Sequence, residues 1–101
     1  MKEKKIKFEW NLAKNKINQQ KHGISFEEAI QVFNDENRLE RYDSYHSNLF
    51  EERYQILGMI AKQIVIVMIC VFKTKSIRII SARKANNSEV KEYYEKNSYI
   101  G

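Results

Sequence analysis

The sequence predicts an α+β fold: two N-terminal helices, a four-stranded antiparallel sheet and a C-terminal helix. Three observations carry that expectation. Apolar residues recur at the helical period in the first third of the chain and at a period near two between Arg38 and Ala85. Connections such as Ala61-Lys62-Gln63 and Lys73-Thr74-Lys75-Ser76 are too short for crossovers, so the strands they join are antiparallel. The run Ile64 to Phe72 is apolar at every position, which marks a central strand covered on both faces.

Taken in order, Lys7-Phe8-Glu9-Trp10 alternates and suits an extra N-terminal edge strand. Asn11 follows as the N-cap of a helix to about Lys21, where Lys16 and Lys21 favour the C-terminal end and His22-Gly23 closes it. Ser25-Phe26-Glu27-Glu28 has capping-box spacing, and Ile24 and Ala29 sit where a hydrophobic staple belongs. Phe26, Ala29, Ile30 and Phe33 then fall on one face of a second helix. Asn34-Asp35-Glu36-Asn37 ends that pattern. Strands are expected over Arg38 to Asp43, Arg53 to Ile60, Ile64 to Phe72 and Ile77 to Lys84, paired as a meander. The turn at Ala61-Lys62-Gln63 lacks the glycine that tight hairpins favour, which weakens the specification of its register. A last helix, capped near Asn86, carries Val90, Tyr93 and Tyr94 on one side.

Composition bounds the rest. The 101 residues make one domain with a modest core, and the absence of proline with only three glycines leaves no linker. A formal charge of +5 attracts nucleic acid, an acidic protein or an anionic surface, and is equally usual in domains that bind none of them. The lone Cys70 excludes an internal disulfide and a zinc site of paired cysteines, and no histidine or acid spacing recommends another metal or cofactor site. Met1-Lys2-Glu3-Lys4-Lys5 has no apolar stretch behind it, so a secretory signal is not expected and the cytoplasm is. Ile64 to Phe72 is less than half the roughly 20 residues a membrane span requires.

Arg78-Ile79-Ile80-Ser81-Ala82-Arg83 is the stretch with most chemistry. It runs two permanently charged guanidinium forks along an apolar strand, and each needs an anion, either a carboxylate of the fold or an external phosphate. Strict alternation groups Ile77, Ile79, Ser81 and Arg83 on one face and Arg78, Ile80 and Ala82 on the other. The two arginines face the same way only if a bulge or strong end-twist intervenes; otherwise they have different jobs.

Many pieces in fixed order resemble the BrnT toxins of bacterial type II toxin-antitoxin systems. They are Phe8-Glu9-Trp10-Asn11, Lys14, Asn18, Lys21-His22-Gly23-Ile24, Phe26, Ala29, Val32-Phe33, Asp35, Glu51-Glu52-Arg53-Tyr54, Gly58, the Arg78-to-Arg83 stretch, Ala85 and Tyr94. The resemblance implies a RelE-like fold and an endoribonuclease, ribosome-independent or ribosome-associated. It also implies a cognate BrnA-like antitoxin with a ribbon-helix-helix portion, through which alone the complex meets DNA.

Metal-independent RNA cleavage needs a base for the 2′-hydroxyl, an acid for the 5′-leaving oxygen and cations for the phosphoryl oxygens. His22, at a helix C-terminus where the dipole favours a cation, is a candidate acid or clamp; its alternative is a helix-capping imidazole. Glu52 is a candidate base or orients a neighbouring arginine; its alternative is a solvated loop acid or an internal salt bridge to Arg53 or Arg78. Arg78 and Arg83 are candidates for phosphate contact, against structural ion pairing. Lys14, Lys21 and Arg53 would position an RNA backbone, and Tyr94 would stack on a base. His46, in a polar loop, is read as surface. The reading from another class is a non-catalytic RNA-binding or partner-binding domain whose basic face docks an acidic antitoxin.

Overall fold

The computed structural model describes residues 6–97, and all that follows concerns those. Three α-helices, α1 (Leu12–His22), α2 (Phe26–Ala29) and α3 (Asn87–Asn97), flank a five-stranded sheet. Its strands are β1 (Lys7–Glu9), β2 (Leu39–Tyr42), β3 (Tyr54–Ile60), β4 (Ile64–Phe72) and β5 (Ser76–Lys84), in the order β1-β5-β4-β3-β2. The expected antiparallel meander of four strands is present, with β4 inside it. The sheet as a whole is mixed, however, because Lys7–Glu9 pairs parallel with Ser76 to Arg78. That corrects a purely antiparallel sheet. Short hairpins dictate the antiparallel pairs, whereas the β1–β5 pairing joins segments far apart in sequence that no local pattern relates.

Local chemistry explains the helix ends. Asn11 Oδ1 accepts from the Lys14 amide at 3.0 Å, and Gly23, at φ 72°, closes α1 by donating its N–H to Gln19 O. The capping box forms as its spacing requires: the Glu28 amide donates to Ser25 Oγ at 3.0 Å and the Ser25 amide to Glu28 Oε1 at 2.9 Å. The helix it starts is shorter than expected. After Ala29 the chain tightens into a 3₁₀ segment, Ile30–Asn34. Three residues per turn then align Phe26, Ala29 and Val32, all fully buried, and Phe33 is rotated to the rim.

Two cores result. On the first face of the sheet, Ile56, Ile66, Met68, Cys70, Ile79 and Ala82 pack under Ile24, Phe26, Ala29 and Val32. On the second, Leu57, Val65 and Val67 pack under Tyr93 of α3. Gly58 permits the close crossing of β3 beneath the 3₁₀ segment, since a Cβ there would lie 2.5 Å from Val32 Cγ2. The β3–β4 turn forms without glycine. Lys62 and Gln63 take φ 63° and 60°, and the register continues to Ile60 opposite Ile64. Cys70 is fully buried, and burial, with Glu40 nearby, pushes its thiol up to about 12, which makes it inert. Among the described residues no helix is long and apolar enough to cross a membrane.

Candidate functional site

A bulge in β5 decides where the arginines point. Cys70 pairs with Ile79 but Ile69 pairs with Ser81, which leaves Ile80 as an extra residue. Alternation restarts there. Arg78 lies opposite Val71, Ser81 opposite Ile69 and Arg83 opposite Val67, so all three share the second face. The grouping of Arg83 with Ile77 and Ile79 is thereby overturned, and Ala82 takes the place of Arg83 in the first core. Four residues of β4 separate the two arginine rows, roughly 13 Å.

Further polar groups line this face. Arg41 pairs across β2–β3 with Gln55, which itself pairs with Ile69, so Arg41, Gln55 and Ser81 form one row. Arg53 lies just before β3 and donates to Glu51 at 2.9 Å. Arg41 was passed over in the sequence because its strand read only as exposed; the alternation that puts Leu39 inward was the usable signal.

The forks differ in how they are satisfied. Arg78 is half-buried and makes no direct ion pair among the described residues, but its charge acts on Glu9, its register partner on β1, whose carboxylate is bound by Lys73 and Ser76. Arg83 binds Glu89 through both terminal nitrogens, at 2.8 and 2.9 Å, and donates to Lys84 O at 3.3 Å. Those bonds hold the Glu89 carboxyl below its usual range and the guanidinium above its own. Glu89 is also the cap of α3: it accepts from the Asn86 amide while its own amide donates to Asn86 Oδ1. The Arg83 side chain nonetheless keeps 41% of its exposure. Of its five donors, Nε–H and one on Nη2 stay free for an anion among the described contacts.

The other candidates are dispersed. Asn18, in α1, donates to Ala82 O at 2.8 Å and accepts from the Ala82 amide at 3.2 Å, standing in for a strand beyond the end of β1. Lys14 and His22 lie one turn either side of it on α1, which runs at the outer edge of β5. His22 is half-buried and Lys14 and Lys21 are exposed. Glu52 is exposed in the loop before β3, beyond the row of Arg78, and so at the opposite end of the sheet from His22. Tyr94 is 48% exposed, with its ring edge-on to Tyr93. Trp10 packs against Phe26 in the core. His46 Nδ1 meets the buried Asp43 carboxylate at 2.6 Å, which fixes the loop. Among the described residues no group of three His, Cys, Asp or Glu side chains is placed to hold a metal ion.

A second network ties α3 down. Asp35 Oδ2 accepts from the Tyr93 hydroxyl at 2.5 Å and the Met59 amide at 2.8 Å, and Oδ1 from the Asn37 amide at 2.9 Å. Burial opposes ionisation of Asp35, but these donors and Arg38 outweigh it and hold the carboxyl below its ordinary range.

The family model for the ribonuclease toxin BrnT, of type II toxin-antitoxin systems, matches residues 10–89, from the edge of β1 into α3. The chain belongs to the BrnT family. A cognate antitoxin is therefore its implied partner. Among solved structures, the crystal structure of the Brucella abortus ribonuclease toxin BrnT matches with a TM-score of 0.62 at 21% identity, covering 82% of this chain and 100% of that one. At that identity the likeness is one of fold. No curated protein sequence matches.

Proposed function

We propose that this BrnT chain is an endoribonuclease whose RNA lies along the arginine-bearing second face of the sheet. The observation that supports it most is the Ile80 bulge, which turns Arg78 and Arg83 to one side of the sheet. In the reaction the ribose 2′-oxygen attacks phosphorus and the P–O5′ bond breaks, leaving a 2′,3′-cyclic phosphate and a 5′-hydroxyl. One proton leaves the 2′-hydroxyl and one arrives at O5′, and no metal is needed. Arg83 meets the scissile phosphate through its free donors, and His22, at the same end of β5, handles a proton. Arg78 and Arg53 hold the chain further along, with Glu52 orienting that pair instead of sharing a phosphate with His22. Lys14 and Lys21 attract backbone at the α1 edge, and Tyr94 stacks on a base. The antitoxin is a BrnA-like ribbon-helix-helix protein, and DNA is met only through their complex.

The bidentate Arg83–Glu89 pair favours one other reading, a binding module in which Arg83 is structural. Controlled expression in a bacterium separates the two. Wild type should arrest growth, and purified protein with RNA and a chelator should generate new 5′-hydroxyl ends. Arg78→Ala and Arg83→Ala should each lower that cleavage by roughly 10²–10³-fold without loss of fold. Undiminished cleavage in both variants would refute the assignment.

A further inference from the structure

The first face of the sheet is not fully roofed. Because α2 gives way to a 3₁₀ turn, the helical layer ends short of the β4–β5 hairpin, and a row of rings is left at its margin. Phe8, Phe33, Phe72, Tyr54 and Tyr42 follow one another at centroid separations of 5.5, 6.4, 5.3 and 5.6 Å. Two hollows of about 790 Å³ each open along this row and share Phe72 and Lys73, so they form one groove. At one end the rim carries Lys7, Lys73 and Lys75 and the Arg38–Glu40 pair; Lys73 is matched by Glu9, and Lys7 and Lys75 make no ion pair among the described residues, which leaves this end net basic. At the other end Leu49 and Phe50, 98% and 96% exposed, stand over the second hollow. Two neighbouring hydrophobes held wholly in water, beside a groove that is apolar toward Phe33, Phe72 and Ile77 and polar toward Glu51 and Glu52, mark a contact surface.

We infer that this groove seats the antitoxin, which lays in an amphipathic segment with acidic residues toward Lys7 and Lys75 and apolar ones under Leu49 and Phe50. The inference rests on the toxin-antitoxin assignment, and charge complementarity selects the occupant. A second copy of this chain would bring the same cations and a net charge of +5 against the rim. RNA fits poorly too. The rings meet one another largely edge to face, so their faces are not offered to bases. Glu52 lines the same hollow as Leu49 and Phe50, so a seated segment covers it.

The test uses the full chain with its cognate antitoxin. Leu49→Asp combined with Phe50→Asp alters side chains already in solvent, and an unchanged Tm verifies the fold. This variant should bind purified antitoxin at least about 100-fold more weakly. Co-expressed antitoxin should no longer relieve growth arrest, while arrest by the variant alone equals that of wild type. Lys7→Glu with Lys75→Glu should weaken binding and flatten its salt dependence. Unchanged antitoxin affinity in both variants overturns the inference. So does loss of RNA cleavage with antitoxin binding intact, or loss of self-association with antitoxin binding intact. A wild type that binds antitoxin through Leu49 and Phe50 yet cleaves no RNA would uphold the groove and sink the ribonuclease reading.

Discussion

Asn18 shows how one side chain can complete a sheet. It is buried in α1, and its amide gives Ala82 both hydrogen bonds that a sixth strand would supply. Asn18 also donates to Ile24 O, so alanine at position 18 would orphan one buried amide and two buried carbonyls, at about 2–3 kcal/mol. Thermal unfolding of Asn18→Ala is therefore expected to shift Tm down by roughly 10–20 °C. A shift under a few degrees would mean that water replaces the side chain. Nothing in the polar stretch Asn15 to Gln20 distinguishes this asparagine from its exposed neighbours, because its partner lies 64 positions away. The capping residues Asn11, Ser25 and Asn86 were legible for the opposite reason: their partners lie three residues on.

At the scale of elements, β5 and α3 work as a pair. The bulge turns Arg83 to the second face, and there the first turn of α3 meets it with Glu89 while Glu92 meets Arg41 at 2.7 Å. Glu89 thus caps its helix and offsets a cation of the proposed RNA surface together. Glu89→Gln keeps an acceptor for the cap and removes the charge. Binding of a single-stranded RNA oligonucleotide should tighten, and the plot of log Kobs against log salt should steepen by about 0.7, as one more phosphate is neutralised. Fluorescence anisotropy across a salt series reads this directly; an unchanged slope would separate Arg83 from the RNA path. Alternation by itself led to the wrong face for Arg83. A bulge leaves little trace in composition, since Ile79-Ile80 reads as an ordinary β pair.

The whole molecule is a sheet with two unlike faces, one roofed by α1 and α2, the other crossed at one end by α3. Asp35 links the layers, holding β3 through Met59 and α3 through Tyr93. Asp35 and Glu89 have folded-state pKa values depressed below ordinary values of 3.8 and 4.5. Their contribution to stability is therefore complete above those values and is lost as pH falls through the depressed ones. Tyr93 behaves in the reverse sense. Burial and the Asp35 carboxylate raise its phenol above 10.0, so its contribution fades as pH climbs past that value. Urea unfolding between pH 7 and 3 should show a loss of stability that is shallower in Asp35→Asn; an identical slope would exclude Asp35 as a source.

The sequence by itself determined the class of fold, four of the strands, the helix starts, the stop of α1 at Gly23, and the family. Each of these is written in residues a few positions apart, through hydrogen bonds and periods that need no distant partner, or in the ordered series of motifs. Tertiary structure decided the rest: the parallel β1–β5 pairing, the 3₁₀ turn that swaps Val32 for Phe33, the face on which Arg83 emerges and the carboxylate that meets it. Those depend on contacts between segments tens of residues apart, where packing and register, not local preference, set the lowest free energy.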